Sequence, residues 1–389
     1  SDARARDLEA ACKRAHEAGR YDEEERLATA WMSAVPGAAA PIFFLAEAQL
    51  GQGRLHDAAD TFARLPDGDP LTLQGLGDRA DLLFGDLKDP REAARTCERI
   101  LRQAPADIEA HRRICFFSAV SLQRQTLAEQ ARRAIAAGAD LPETFVYLVG
   151  SDWLTLSNTV SVNSHWLSAA PDDELFLVAA ARGYVSNAGL EEEVAQADST
   201  DEPVVPEHDK RLRELLDRFP ANVELLAYFL QKATTRGDVE EVTSLLARAP
   251  AEAAGDNRFW RFKAWVHDQA GERPEAIEAY RKALEIEPFD FLSQHQLAGV
   301  LRKDGGADEE VARLSRLAAE GGRLRKRILQ APDVRRMPPE VLREVAAYVR
   351  GCGDEGIADL LERRIREISA SPGGPGAAPR GGPDRAPFP

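Results

Sequence analysis

Residues Asn257 to Asp290, NRFWRFKAWVHDQAGERPEAIEAYRKALEIEPFD, decide how the rest of the chain is read. Counted from Asn257, Trp260, Ala264, Gly271, Ala276, Tyr280, Ala283 and Pro288 take the fourth, eighth, fifteenth, twentieth, twenty-fourth, twenty-seventh and thirty-second places. Small side chains at Ala264 and Ala276 let two helices approach closely, and bulky Trp260 and Tyr280 fill the space between one unit and the next. Gly271 opens a turn between the helices, and Pro288 closes the unit, because proline lacks the amide hydrogen a helix needs. This stretch is a helical hairpin of 34 residues that cannot bury its own apolar faces.

The same register recurs outward. Ala39 to Thr72 fits it through Ile42, Leu45, Ala46, Gly53, Ala58, Phe62 and Pro70, and Ala5 to Ala38 through Leu8, Ala11, Gly19, Trp31 and Pro36. Leu73 to Asp107 keeps Leu76, Ala80, Ala93, Ile100 and Pro105, with an extra residue in its turn between Gly85 and Pro90. Prolines at 36, 70, 105, 142, 171, 220, 250 and 288 are read as hairpin stops, the first three intervals being close to 34 residues. Weaker hairpins are expected over Ile108 to Ala139, Leu141 to Pro171, Asp172 to Pro220, Ala221 to Pro250, Phe291 to Gly321 and Pro339 to Ser369. About ten hairpins result, least regular between 140 and 220. Isolated helices of about 12–15 residues are marginal in water, so the units must stack to be stable.

This pattern resembles the tetratricopeptide repeat. The resemblance implies an all-α fold, an α-solenoid of about ten antiparallel hairpins wound as a right-handed superhelix over residues 1–369, with the first helix of each pair lining an inner wall. It also implies a protein-binding scaffold or adaptor, with no catalysis of its own. Extending the register places Arg112, Phe116, Tyr147, Leu177, Tyr184, Tyr228, Arg261 and Trp265 on that wall. Aromatic and arginine side chains are frequent interface anchors, so the expected partners are extended or helical protein segments. The alternative position for the same residues is packing between adjacent hairpins. Chaperone-tail recognition by lysines and asparagines does not fit: the fifth and ninth places carry Glu9 and Lys13 in the first repeat and Phe43 and Glu47 in the second.

Other features limit the function. A net charge of -15 over 389 residues opposes nonspecific binding to nucleic acid or anionic lipid. No apolar run approaches the ~20 residues of a membrane span. The chain starts at Ser1 without an initiator methionine, which leaves room for a preceding signal or membrane tether. Cys12, Cys97, Cys115 and Cys352 stand singly, and Cys12, Cys97 and Cys115 fall on packing positions of their repeats. The seven histidines form no metal motif, and His111 and Cys115, one helical turn apart, read as packing. Gly75, Gly77 and Ala80 spell a loose dinucleotide fingerprint, but no strand precedes it. No cofactor, metal or catalytic residue is therefore expected. A second reading makes the array the substrate-recognition part of an enzyme whose catalytic domain lies on a preceding segment or another chain. Homo-oligomerisation through apolar array ends stays open. Residues 189–209 form an acidic stretch expected to be a surface loop, Arg323, Arg325, Lys326, Arg327, Arg335 and Arg336 form a basic island, and residues 370–389 form a Pro/Gly-rich tail expected to be disordered.

Overall fold

A computed structural model describes residues 2–195, 207–331 and 333–370. Among the described residues it holds twenty α-helices and no strand. They run α1 (Asp2–Glu17), α2 (Tyr21–Ala34), α3 (Ala39–Gly51), α4 (Leu55–Ala63), α5 (Pro70–Phe84), α6 (Pro90–Gln103), α7 (Ile108–Val120), α8 (Arg124–Ala136), α9 (Pro142–Val149) and α10 (Thr159–Leu167). They continue as α11 (Glu174–Ala195), α12 (Glu207–Arg218), α13 (Val223–Arg236), α14 (Val239–Ala247), α15 (Asn257–Ala270), α16 (Arg273–Ile286), α17 (Phe291–Asp304), α18 (Asp308–Leu329), α19 (Pro339–Gly351) and α20 (Glu355–Ala370). The all-helical solenoid expected from the repeats is what the chain forms.

The repeat chemistry works as the 34-residue stretch implies. Ala264, Ala276 and Ala283 are fully buried where α15 meets α16, and Tyr280 is buried between units. Gly271 ends α15 with φ +78°, a left-handed conformation that costs an L side chain strain. Gly19 and Gly53 take the same conformation at the matching places of the first two repeats. Aspartate and asparagine caps start many of the helices: Asp107, Asn222, Asp238, Asp256 and Asp290 each accept a backbone N–H from the first turn.

Two prolines read as stops are starts. Pro70 and Pro142 occupy the first turns of α5 and α9, where a missing N–H costs nothing, and Asp69 caps α5 through the Leu71 amide. The extra residue of the third hairpin is absorbed by Lys88, which takes φ +55° just before α6. The acidic stretch is helical at its edges, since α11 runs through Ala195 and α12 starts at Glu207. Residues 196–206 between them, and the tail from 371 to 389, lie outside the described residues. The ninth hairpin is longer than expected, because α18 continues to Leu329 and carries Arg323, Arg325, Lys326 and Arg327 on its last turns.

The largest departure is the fifth unit. Leu141 to Pro171 is not a simple hairpin: α9 packs against α7 and α8, whereas α10 packs chiefly against α11 and also touches α7. The break lies between Gly150 and Asn158, where Leu154 and Leu156 turn inward and Arg124 donates to the carbonyls of Ser151, at 3.4 Å, and Leu154. Beyond it, α10 is held over the third and fourth hairpins. The Trp166 indole N–H donates to Phe84 O at 2.9 Å, the His165 ring lies 2.9 Å from Gly85 O, and Asn163 donates to Val120 O at 2.8 Å.

With its pairing helix gone, α9 is covered by another partner. Glu143 through Val149 are all buried, and a helix apolar on every side belongs in an interior. The covering elements are α19, α20 and the short turn Val334–Arg336 that precedes them. Arg364 on α20 makes a two-pronged ion pair with Asp140, Nε–Oδ2 2.8 Å and Nη2–Oδ1 3.3 Å, across 224 positions of sequence. One continuous apolar core therefore joins residues of the third, fourth and fifth units to Val341, Val345, Val349, Leu361 and Ile365 of the last hairpin. The solenoid turns back and closes on its own middle.

Candidate functional site

Closure divides the expected inner wall into a covered part and an open part. Tyr147 on α9 is 2% exposed and Arg261 on α15 is 5% exposed, so both side chains are committed to packing inside the stack. Arg112 and Phe116 on α7 are half-buried, Arg112 lying 3.4 Å from Glu143 and 3.5 Å from Glu109. Leu177 and Tyr228 are half-buried on α11 and α13, with Arg182 stacked over the Tyr228 ring at 4.6 Å and Tyr228 donating to Asp209. Tyr184 is exposed, with Arg211 at 6.0 Å from its ring, and Trp265 is half-buried. The eight residues do not form one continuous surface.

Of these residues, Trp265 lines a groove of about 720 Å³ between the eighth and ninth hairpins. Its floor and walls come from α15 (Trp265, Asp268, Gln269) and α17 (Leu292, His295, Gln296, Gly299, Arg302, Lys303), with Ser315, Ala318 and Ala319 of α18 behind. Leu292 is one of four large apolar side chains exposed among the described residues. A Cβ built on Gly299 would meet nothing within 4 Å, so the wall is recessed there. Lys303 pairs with Asp268 at 3.0 Å, and Arg302 reaches Ser315 Oγ at 3.4 Å. Apolar Trp265 and Leu292 beside amide, imidazole and cationic groups give an anchor surface with polar handles. Sequence reasoning reached Trp265 and passed over His295 and Gly299, which stand at the fifth and ninth places of the next hairpin. Their places were the signal; neither residue type attracted notice.

A second assembly, absent from the sequence reading, lies where α8 and the loop after α9 meet α13, α15 and the turn before α17. Glu224 on α13 accepts from Arg258 of α15 at 2.6 Å and lies 3.5 Å from Arg124 of α8, and Arg258 also binds Asp256 at 2.6 Å. Burial alone would raise the Glu224 carboxyl, yet Arg258 and Arg124 outweigh it and bring it down to about 2. Nearby, Arg261 pairs with Asp290 at 2.7 Å and lies 3.8 Å from Asp152, while Asn257 donates to both carboxylates. Burial and the Asp290 charge hold Asp152 above the ordinary carboxylate range, and Arg261 and Ser293 hold Asp290 below it against its own burial. Three arginines interleave with four carboxylates, each arginine facing at least one of them, which makes the assembly a structural clasp.

The remaining motifs are structural. Cys12, Cys97 and Cys115 are buried, and burial pushes each thiol up to about 12. His111 lies 2.9 Å from Pro105 O through Nε2, closing its own helix start. Gly75 and Gly77 sit inside α5, and a Cβ on Gly75 would strike Leu65 and Phe62, so its smallness serves helix packing. Among the described residues no three His, Cys, Asp or Glu side chains cluster in a way that could hold a metal, and no helix is long and apolar enough to cross a membrane.

The fold defines a helical-repeat solenoid. Residues 217–329, from the end of α12 through the ninth hairpin, match the family model of the tetratricopeptide repeat. That stretch carries the tetratricopeptide repeat, a class of repeat that serves generally in protein-interaction scaffolds. No curated protein matches it in sequence at a significant level. Solved structures similar to it include a tetratricopeptide repeat protein from Parabacteroides merdae, 13% identical over 81% of this chain and 99% of that one, TM-score 0.27. Yeast Tom70 is 12% identical over 92% of this chain and 84% of its own, TM-score 0.26. Human IFIT1, as a dimer with PPP-AAAA, is 13% identical over 92% of this chain and 89% of its own, TM-score 0.33. At such scores each neighbour's ligands and partners stay its own.

Proposed function

We propose that this chain is a protein-binding scaffold that takes an extended or helical partner segment along the first helices of the eighth and ninth hairpins. The observation that carries this reading is the recess over Gly299, bordered by half-buried Trp265 and exposed Leu292 on the open part of the inner wall. A bulky apolar side chain of the partner enters the recess. His295, Gln269 and Gln296 supply hydrogen bonds to its backbone, and Arg302 and Lys303 favour acidic residues beside the anchor. Covered Tyr147 and Arg261 take no part in this contact, and of the inner-wall residues expected from sequence Trp265 is its centre.

Partner capture by the full chain tests the reading. Gly299→Trp fills the recess and Trp265→Ala removes its border, and each is expected to weaken capture at least ~10-fold, as loss of a central anchor does. Partners retained equally by both variants, with helicity intact, would move the binding surface elsewhere on the molecule.

A further inference from the structure

The second helix of the ninth hairpin, α18, separates its charges along its length. Its first turn holds Asp308, Glu309 and Glu310, and from Arg313 to Arg327 six basic side chains stand against the single acid Glu320. Lys326 and Arg327 lie in the last turn, where the partial negative charge of a helix C-terminus favours cations. Arg313, Arg316 and Arg323 lie outside that turn, are exposed, and make no side-chain hydrogen bond or ion pair among the described residues. Neither the helix end nor an internal partner accounts for them.

The basic island expected from sequence does not act as one surface. Arg325 lies over the Trp153 ring at 5.9 Å, and Arg335 folds back on Asp333 at 3.0 Å. Arg323 and Arg327 instead join Arg313, Arg316 and Glu320, five residues separated by alternating steps of three and four, which sets them on one face of the helix. Leu314, Leu317, Gly321, Leu324 and Ile328 follow the same stride one residue on and are buried. The charged row therefore stands about a quarter-turn from the packed side, facing solvent over ~21 Å of helix. Its last member, Arg327, is shared with Glu344 of α19 at 2.5 Å in a partly exposed pair.

We propose that this row docks an acidic segment of a partner protein whose charges run in the same stride, with carboxylates opposite the arginines and one cation opposite Glu320. Guanidinium groups receive carboxylates through paired N–H donors, so a row of arginines fixes both charge and register. Glu320 selects the class of partner. A uniform polyanion such as nucleic acid meets a repelling carboxylate in the middle of the row, on a chain whose net charge is already -15. A protein segment can place a lysine at that point. Ala312 and Ala319, the exposed residues beside the row, are too small to insert into lipid. None of the row's charges lines the groove at the eighth and ninth hairpins, and the proposal does not rest on that groove.

Fluorescence anisotropy of the full chain with labelled synthetic probes tests the row. The probes are alanine-based helical peptides of ~20 residues, with glutamates in the same stride and either lysine or glutamate at the central place, and an oligothymidylate of equal length. At ~50 mM salt the lysine-centred peptide is expected to bind at least ~5-fold more tightly than the glutamate-centred one, and to weaken ~10-fold at ~250 mM salt. Glu320→Lys is expected to invert the preference between the two peptides. Arg316→Gln combined with Arg323→Gln changes two exposed positions, is expected to weaken the lysine-centred peptide at least ~10-fold with helicity unchanged, and serves if Glu320→Lys does not fold. Absence of a preference in the wild type, a preference that survives unchanged in Glu320→Lys, or oligothymidylate binding as tight as that of the lysine-centred peptide would overturn the docking row. Each of these results would leave capture at the groove unaffected.

Discussion

Replacing Glu224 by glutamine removes the negative centre of the clasp and leaves its cations in place. Arg258 keeps Asp256, but Arg124 then has no carboxylate within ion-pair distance among the described residues, and both guanidinium groups stay buried. The native carboxyl lies at about 2 against 4.5 when free, about 2.5 units of preferential stabilisation of the charged form. At ~1.4 kcal/mol per unit this amounts to ~3 kcal/mol, within the range expected when one partner of a buried ion pair is removed. The contribution is present in full above 4.5 and is lost as pH falls toward 2. Urea unfolding of wild type and Glu224→Gln at pH 7 and pH 3 is therefore expected to show a difference of ~3 kcal/mol that narrows to about half, effects of acid on the rest of the chain being common to both. A difference under ~1 kcal/mol at pH 7, or one of equal size at the two pH values, would refute the assignment of Glu224 as a charged, paired centre.

Two glycines of α5 give opposite expectations. Gly75→Ala drives a methyl into Leu65 and Phe62 and is expected to lower stability by ~1–2 kcal/mol, whereas Gly77→Ala faces open space and is expected to raise it by ~0.5–1 kcal/mol through helix propensity, both read from unfolding midpoints. Thiol titration of the native chain at pH 8 is expected to find Cys12, Cys97 and Cys115 unreactive, with Cys352 the one that reacts first, and all four reactive in denaturant. Early reaction of any of the three buried thiols would show that its hairpin opens far more readily than its burial implies.

Local rules made the hairpins legible. Gly19, Gly53 and Gly271 announce left-handed turns, and the alanines at the eighth and twentieth places announce close helix contact, because each constraint acts within a few residues of its cause. Proline was less informative. At Pro70 and Pro142 it marks a first turn as readily as an end, and the preceding Asp69 was the sign that separates the two at α5. The fifth unit falls in the stretch expected to be least regular, but the parting of α9 from α10 was not legible, because both are short and helical and pairing between neighbours is the default in an array. What redirects them is Arg124 gripping the intervening loop and Trp166 reaching Phe84 O, contacts that no sequence spacing advertises. The same holds for the wall: Tyr147 and Arg261 occupy inner-wall places in the register, but closure of the array covers the first and the clasp absorbs the second. Groove residues at the fifth and ninth places, His295 and Gly299, were within reach of the register, but neither carries the large apolar or guanidinium group that marks an interface anchor.

Closure of the solenoid on α9 governs which surface is open, so its most direct measurement is a double-mutant cycle on Asp140 and Arg364. The two residues stand 224 positions apart and touch only if the last hairpin returns to the fifth unit. Asp140→Asn and Arg364→Gln, singly and together, are expected to give a coupling of ~1–2 kcal/mol, since the pair is two-pronged with a buried carboxylate. Effects that add within ~0.3 kcal/mol would mean the two sites never meet, and the array would be open.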